Sequence, residues 1–293
     1  MLWALLAILA AFLYAIISIL DKYVLVTWIR KPMASAVING TVGLLAALVI
    51  FLVVGFEPLS AQNIILALFA GVLGMVGSLF YFKAVKAGEI SRIVPLFYLS
   101  PVFILFLAAI FLGEVLGFVQ YLGVFLIVVG AMLISSRNFK FDFGKAFWFV
   151  IIGCLIFSVC SVLVKYLLDF ADFWTVFSYV RIGMIFLLIP MACLSVGELK
   201  SAVKKHGAKV LGVMSLSEIL TVAAVLIGTI AVSIGSVTLV NALSSIEPFF
   251  VLFIALILSV HHPKILKEEL GKAVVLVKLA AVILIFAGAI LIM

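Results

Sequence analysis

The chain has 293 residues, of which 68% are hydrophobic and only 11% are charged. Soluble domains contain roughly half apolar residues and need polar surface to cover their core. The composition therefore excludes a soluble enzyme, a disordered protein and a secreted scaffold. A membrane β-barrel is excluded too, because its strands alternate apolar and polar residues, whereas this chain is apolar in long blocks. What remains is an all-α polytopic membrane protein.

Ten apolar runs are long enough to cross a bilayer, which takes about 20 helical residues. In chain order they cover 2–20, 33–55, 63–83, 91–112, 115–135, 146–168, 173–195, 209–231, 236–258 and 273–293. The longest polar stretches are Arg137–Lys145, Glu198–Lys209 and His261–Lys272, each short enough to be a loop. We therefore predict ten transmembrane helices and no large soluble domain.

The net charge of +7 arises mostly from basic residues near the odd-numbered connections, whereas the even-numbered connections contain only Lys165. Basic loops face the cytoplasm, so we predict a multi-pass protein of the cytoplasmic membrane with both termini outward. The same rule accounts for the positive charge without a nucleic-acid partner.

Small-residue faces permit close helix packing within a monomer or in a homodimer.

An internal repeat relates the two halves. Leu13–Leu25 reads LYAIISILDKYVL, and Ile156–Leu168 reads IFSVCSVLVKYLL, with shared Ser and Lys-Tyr positions. Three further matches are Ala84-Val85-x-x-Gly88 with Ala231-Val232-x-x-Gly235, Pro101 with Pro248, and Gly130-Ala131 with Gly288-Ala289. Each half holds five spans, and an odd number makes the second copy enter the membrane from the opposite side. We predict two inverted-topology five-helix repeats, 1–138 and 139–293, an architecture typical of secondary transporters. The alternative is a chance match between apolar segments.

The segment from Phe80 to Ile134 resembles an EamA domain of the drug/metabolite transporter superfamily. The matching features are the Phe-Tyr-x-x-Ala start, Ser91, Pro101, the Leu-Gly-Glu ending at Glu114, Gly123 and Gly130. The second half resembles a weaker copy, with Arg181 in the seventh span where the family has an arginine.

This resemblance implies ten helices in two EamA units and the transport of a small solute, often the export of amino acids or other metabolites. It also implies cytoplasmic termini, which conflicts with the outward termini predicted from the charges. In addition, His261-His262 stands in the second half where the first half has Gly113-Glu114.

Ionisable groups deep in the membrane are candidates for function, because they are costly unless paired or hydrated. Arg181, Glu218 and Glu247 lie well inside the seventh, eighth and ninth spans. Arg181 could hold a substrate carboxylate or phosphate, while Glu218 or Glu247 binds a proton or a cationic group. A structural ion pair is the alternative. We expect Lys22, Lys83 and Lys278, which lie at span ends, to extend to the lipid headgroups.

The ninth span carries a polar face at helical spacing, formed by Asn241, Ser244, Ser245 and Pro248. Such a face looks into a helix bundle or a cavity. We expect Asn241 and Ser245 to line a substrate site together with Glu247, and Tyr14 and Tyr98 to line it from the first half. Interhelical hydrogen bonding and bundle packing are the alternatives.

These features predict a secondary active transporter that moves a small polar metabolite by alternating access, and the resemblance to the EamA family implies export of an amino acid or related solute. One alternative is a flippase for a lipid-linked phosphate, with Lys22, Lys165 and Arg181 as its basic groups. Less favoured alternatives are a scaffold and a membrane enzyme that uses His206, His261 and His262. The three cysteines form no metal-binding motif, and nucleotide-binding and hydrolase motifs are lacking, so we expect no cofactor, no metal ion and no enzymatic activity.

Overall fold

The computed structural model describes the chain except for residues 1, 30, 56, 113–116, 138–139, 142–143, 235–243, 245, 262–270 and 293. Apolar helices make up most of the described residues. They are α1 (Leu2–Thr27), α2 (Pro32–Val54), α3 (Ala61–Ala87), α4 (Ile90–Phe97), α5 (Ser100–Leu112), α6 (Phe118–Ser135), α7 (Lys145–Leu167), α8 (Phe173–Gly183), α9 (Ile185–His206), α10 (Lys209–Ile234), α11 (Glu247–His261) and α12 (Lys272–Ile292). A short antiparallel hairpin, β1 (Ser136–Arg137) and β2 (Lys140–Phe141), links α6 to α7.

The helices account for all ten predicted spans. Seven stretches are long and apolar enough to cross a membrane, and three shorter apolar helices lie in the regions of the fourth, fifth and ninth spans. Helices α4 and α5 form the fourth span, and α8 continues into α9 as the seventh. Part of the ninth span lies outside the described residues, and α11 forms the rest. The chain is therefore an all-α polytopic membrane protein.

Two spans are longer than the hydropathy pattern predicted. Helix α1 continues to Thr27 rather than ending near residue 20, and the seventh span continues to His206 rather than ending near residue 195. The predicted loop Glu198–Lys209 is therefore helical over most of its length. Glu, Lys and Ala favour helices about as well as apolar residues do, so a fall in hydropathy does not end a helix.

The fourth span is interrupted between α4 and α5, where Tyr98 and Leu99 lie in a turn. Pro101 has no N–H to donate to the carbonyl of Phe97. The Cys154 thiol of α7 lies 3.7 Å from that carbonyl oxygen, and the Ser158 hydroxyl lies 2.7 Å from the carbonyl oxygen of Cys154 and 3.1 Å from that of Ser100. A thiol from the second half thus lies where the helical N–H of the first is missing, and Tyr98 lies at the interruption.

The main helix contacts join one half of the chain to the other. Helix α3 packs along α7 while α1 packs along α10, and α5 packs on α7 while α11 packs on α1. The two contacts in each pair are related by the repeat. Replacing every span by its repeat partner, five places along the chain, converts the contact of α3 with α7 into that of α1 with α10, and the contact of α5 with α7 into that of α11 with α1. The contacts of α2 with α8 and of α6 with α12 map onto themselves under the same exchange. Two repeats that pack mainly on each other, rather than each on itself, produce this symmetric set of contacts.

Two matched glycines carry this symmetry into the contact between α6 and α12. A Cβ atom on Gly130 would lie 2.8 Å from the carbonyl oxygen of Ala281, and one on Gly288 would lie 2.6 Å from that of Gly123. Gly130 and Gly288 are partners in the sequence repeat, and each faces the residue seven positions before the other. Helices approach this closely only where a side chain is missing.

Two of the lysines expected at the headgroups are buried instead, so that prediction is wrong for them. Lys22 is 8% exposed, and its Nζ donates to the carbonyls of Val85 and Gly88, each at 2.6 Å. These carbonyls lie at the C-terminal end of α3, where a helix leaves acceptors unsatisfied. Lys22 therefore fastens α1 to the end of α3 rather than reaching into lipid.

Lys278 of α12 is the second buried lysine and is 1% exposed. Its Nζ lies 2.6 Å from Glu89 Oε2 and 2.9 Å from the Ser91 hydroxyl. Arg92 also bonds Glu89, at 3.1 Å, and donates to the carbonyl of Ile134 at 2.8 Å. This cluster ties the start of α4 to α6 and α12, and its carboxylate satisfies a cation that would otherwise be buried without a partner.

Candidate functional site

A cavity of about 700 Å³ lies between the two halves. Helices α1, α2, α3 and α4 line it from the first half, and α7, α8, α10 and α11 line it from the second. Among the described lining residues are three carboxylates, one guanidinium and several aromatic rings. Polar groups at this depth need partners, which come either from the protein or from water and solutes that enter the cavity.

Helices α1 and α7 present matching faces to the cavity. Each contributes four residues at spacing i, i+3, i+4 and i+7: Tyr14, Ile17, Ser18 and Asp21 from α1, and Phe157, Cys160, Ser161 and Val164 from α7. These two sets are partners in the sequence repeat. The cavity-lining positions of α1 and α7 therefore correspond, but their side chains differ, because Asp21 of α1 corresponds to Val164 of α7.

Arg181 of α8 pairs with Glu218 of α10, and both helices pack on α2. The nearest charged atoms lie 3.7 Å apart, and the two side chains are 13% and 5% exposed. The side-chain amide of Asn39 donates to the other oxygen of Glu218. The guanidinium also stacks on the ring of Phe177 at 5.0 Å, and a Cβ atom on Gly43 would lie 2.6 Å from Arg181 Nη1. The arginine is thus held in place from several sides.

Glu247 lies at the first residue of α11 and reaches both α4 and α1. Its carboxylate lies 3.0 Å from the Tyr98 hydroxyl and 3.4 Å from the Ser18 hydroxyl. The Tyr98 hydroxyl also lies 3.1 Å from the carbonyl oxygen of Ser244. Pro248, four residues further on, has no N–H to offer that carbonyl.

The Tyr98 hydroxyl has one hydrogen for two acceptors, since a carbonyl and an ionised carboxylate both only accept. Both contacts become hydrogen bonds together when Glu247 carries a proton and donates it to Tyr98. With Glu247 ionised, the Tyr98 hydroxyl can donate to only one of these two oxygens. The hydrogen bonding of α4 and α11 is therefore sensitive to one proton.

Asp21 is the third lining carboxylate, and the sequence reasoning did not select it. It accepts hydrogen bonds from Ser217 at 2.9 Å and from Tyr81 at 3.1 Å. The predicted end of the first span near residue 20 placed Asp21 at the membrane surface, whereas α1 continues to Thr27. Its spacing of i+7 from Tyr14 was the available signal. Asn39 and Tyr81 were also missed.

Two acceptor atoms at the cavity are buried without a hydrogen-bond partner among the described residues. They are Glu218 Oε1 and Asn39 Oδ1. Glu218 as a whole is 4% exposed. A buried acceptor without a donor costs about 1–3 kcal/mol, so these atoms need a donor from water or from a ligand.

The structure brings five of the predicted site residues to one cavity: Tyr14, Tyr98, Arg181, Glu218 and Glu247. The other two, Asn241 and Ser245, lie outside the described residues. Whether any of these side chains binds substrate stays a prediction. The described part of the chain contains no group of three or more His, Cys, Asp and Glu side chains that could hold a metal ion.

The histidines assigned to an enzyme do not converge on this cavity. His206 ends α9, and His261 ends α11 with its Nδ1 bonded to the carbonyl of Ile257 at 2.9 Å. Neither lines the cavity, and His262 lies outside the described residues.

Comparison with known proteins adds three kinds of similarity. The sequence profile of the EamA-like transporter family matches residues 1–136. An uncharacterized protein of Methanocaldococcus jannaschii is 31% identical over 110 residues, which are 37% of this chain and 80% of that protein. An uncharacterized transporter in the cobO 3' region of a Sinorhizobium species is 42% identical over 55 residues, which are 19% of this chain and 39% of that protein.

A protein of known crystal structure aligns over 99% of this chain and 94% of its own, with a TM-score of 0.50 and 17% identity. This similarity supports the fold alone. The family match, the similarity to a transporter and the ten apolar helices agree with one another. The chain belongs to the EamA-like transporter family, and it is a multi-pass membrane transporter of the drug/metabolite transporter type.

Proposed function

We propose that this protein is a secondary active transporter that exports a small polar metabolite across the cytoplasmic membrane by alternating access. The observation that carries the proposal is the cavity between the halves, lined by repeat-matched positions of α1 and α7. Two inverted copies around one site provide two similar gates, and rocking between them exposes the site to each side in turn. The units 1–138 and 139–293 supply the two inverted copies of this scheme.

The cavity lining reaches one membrane face along α7 and α8. The lining includes Phe173, the first residue of α8, at the face where α1 also begins. Toward the opposite face it ends at Phe82 and Val94, which leaves roughly 6–8 Å of helix before the ends of α3 and α4. The Lys22 and Lys278 clusters lie beyond that point. We infer a form open at the face of the N-terminus and closed at the other.

The basic residues support an orientation for this form. They gather near the connections at the closed face, which the positive-inside rule assigns to the cytoplasm. Both termini then face outward, and the open cavity faces outward with them.

Proton coupling through Glu247 is the second part of the proposal, with Glu218 as the other candidate. The described charged and phenolic groups that share the cavity with Glu247 are Tyr14, Asp21, Tyr81, Tyr98, Arg181 and Glu218. A proton on Glu247 lets Tyr98 bond the Ser244 carbonyl, and loss of that proton breaks the arrangement. Binding of a proton thereby acts on the contact between α4 and α11, one from each half.

The alternatives receive less support from the cavity. A flippase for a lipid-linked phosphate needs basic groups for the head, yet Lys22 donates to backbone carbonyls and Arg181 pairs with Glu218. Acidic lining groups outnumber basic ones in the described part of the cavity. Of the histidines that an enzyme would use, the two described ones, His206 and His261, do not line this cavity.

The native Cys160 provides a test of alternating access, because it lies on the cavity lining while Cys154 is buried and Cys193 is exposed elsewhere. A variant with Cys154→Ala and Cys193→Ala leaves Cys160 as the reporter thiol. In vesicles of known orientation, a membrane-impermeant thiol reagent should label Cys160 from the face of the N-terminus. Labelling from both faces at equal rates, or from neither under any condition, would contradict the proposal.

Transport itself is measured in proteoliposomes with labelled amino acids, amines, nucleotides and sugar phosphates. We expect at least one class to exchange faster than in protein-free liposomes. If one class does, an imposed pH gradient should drive it, and Glu247→Gln should abolish that drive. Unchanged pH dependence in Glu247→Gln would remove this residue from the coupling scheme.

A further inference from the structure

We propose that the cavity selects substrates that carry a protonated amine and no free carboxylate, with Asp21 and Glu247 as the counter-ions. This inference rests on the proposed transport function, and it names the substrate class of the same site. It is narrower than a general preference for amino acids, because it excludes zwitterions.

The charges of the described lining residues are unbalanced. Asp21, Glu218 and Glu247 supply three carboxylates, and Arg181 supplies the one guanidinium. Glu218 lies 3.7 Å from Arg181 and accounts for its charge. Two carboxylates therefore remain without a basic partner among the described residues of the cavity, and a cation entering the cavity would compensate them.

The two remaining carboxylates are related through one face of α1. The Ser18 hydroxyl contacts Glu247 at 3.4 Å, and Asp21 lies three residues further along the same helix face. Tyr81 donates to Asp21 at 3.1 Å, and Tyr98 contacts Glu247 at 3.0 Å. Hydroxyl groups thus orient both carboxylates, and the remaining lone pairs are available to a donor.

The buried atoms without partners point to the same chemistry. Asn39 and Glu218 both line the cavity, and Asn39 Oδ1 and Glu218 Oε1 are acceptors that make no hydrogen bond among the described residues, although Arg181 Nη1 lies 3.7 Å from Glu218 Oε1. An ammonium group has three N–H donors and no acceptor, whereas a carboxylate has only acceptors. A cationic amine supplies what these atoms lack, and an anion would add to the excess of acceptors.

Arg181 is poorly placed to bind a substrate carboxylate. Glu218 lies on one side of the guanidinium, the Phe177 ring lies 5.0 Å from its central carbon, and Gly43 is in close contact. A substrate carboxylate would have to displace Glu218 and leave it buried without its cation, which is strongly unfavourable.

The side chains that α7 and α8 contribute to the cavity lining suit the part of the substrate other than its amine. The positions that match Tyr14 and Asp21 in the repeat are Phe157 and Val164, and Phe173 adds a further ring. The carboxylates thus come from α1, α10 and α11, whereas α7 and α8 contribute mostly apolar and aromatic side chains, with Ser161 and Arg181 as polar members. Aromatic rings also attract ammonium groups through their faces, so an amine with an apolar body matches both sets of side chains.

The test uses three probes with the same phenyl body: 2-phenylethylamine, phenylalanine and 3-phenylpropionate. Their affinities for the purified full-length protein are measured by calorimetry and by the rise in melting temperature. We expect 2-phenylethylamine to bind at least about thirtyfold more tightly than either carboxylate-bearing probe, since a buried charge without a partner carries a penalty of this order.

Matched variants locate the binding site. Asp21→Asn and Glu247→Gln keep the shape of each side chain and remove its charge, so each should weaken amine binding at least about tenfold. Asp169→Asn is the control, because Asp169 is exposed at the end of α7 and does not line the cavity. Circular dichroism and melting temperature show whether each variant is folded.

Equal or tighter binding of phenylalanine or 3-phenylpropionate would overturn the inference, as would no detectable binding of the amine. Amine binding unaffected by both cavity variants would also overturn it. Proteoliposomes separate this result from the proposed function. Exchange of a carboxylate-bearing probe would leave transport standing without amine selectivity. Amine binding that depends on Asp21 and Glu247, with no exchange of any probe, would uphold the selectivity and contradict transport.

Discussion

Replacing Lys278 by Met tests whether the buried cluster at the start of α4 stabilises the protein. Lys278 is 1% exposed and lies 2.6 Å from Glu89 Oε2, and the Glu89 side chain is 12% exposed. Met fills similar volume but removes the charge and the donors. Glu89 and the Ser91 hydroxyl would then lose a partner that comes from a different span.

The expected loss follows from the burial of this pair. Removing one partner of a buried ion pair costs about 3–5 kcal/mol. We take the lower end, about 3 kcal/mol, because Arg92 stays 3.1 Å from Glu89. At about 2–4 °C per kcal/mol for a chain of this size, the melting temperature should fall by roughly 6–12 °C. Thermal unfolding of the purified protein in detergent, followed by fluorescence, measures this fall.

The pH dependence provides an independent check. Burial works to raise the pKa of Glu89, but the hydrogen bond and charge of Lys278, together with Arg92, outweigh it and lower that pKa. A lowered carboxyl pKa contributes stability above the pKa of the unfolded chain, near 4.3 for glutamate. That contribution is lost as the pH falls through the folded-state pKa. The gap between native protein and variant should therefore be largest at neutral pH and shrink below about pH 4.

A double variant separates the ion pair from side-chain packing. Glu89→Gln combined with Lys278→Met removes both charges, so it should recover much of the stability lost in Lys278→Met alone. A fall in melting temperature below about 2 °C for the single variant, or no recovery in the double variant, would refute the assigned role.

Three further predictions test the cavity and the helix contacts. Tyr98→Phe removes only the hydroxyl that bonds Glu247, so proton-driven exchange in proteoliposomes should fall about tenfold; unchanged exchange would exclude this hydroxyl from coupling. Arg181→Met leaves Glu218 buried without its cation, so the melting temperature should fall, and Glu218→Gln should restore much of it; a variant as stable as the native protein would show that the pair contributes nothing. Gly288→Ala places a Cβ 2.6 Å from a backbone oxygen and should cost about 1–3 kcal/mol, whereas Gly212→Ala, with open space around it in a helix, should be neutral or slightly stabilising in the same thermal assay.

The sequence alone determines the helical architecture, because in a bilayer each transmembrane helix is specified by its own apolar run. Each apolar run must satisfy its backbone within one helix, so run length and spacing predict ten spans in order. The repeat between Leu13–Leu25 and Ile156–Leu168 also predicts which positions share a face, since helical spacing sets the face. The structure places those matched positions of α1 and α7 on one cavity.

Tertiary packing alone decides the partners of the buried charges. The sequence left Arg181 with two candidate carboxylates. The packing of α8 and α10 on α2 brings Glu218 to it, while Glu247 meets Tyr98 at the end of α4. Hydropathy placed Asp21 and Lys22 at the membrane surface, yet α1 continues beyond them and both are held by groups of other spans. Ion pairing and burial depend on contacts between residues far apart in the chain, and a linear pattern does not contain those distances.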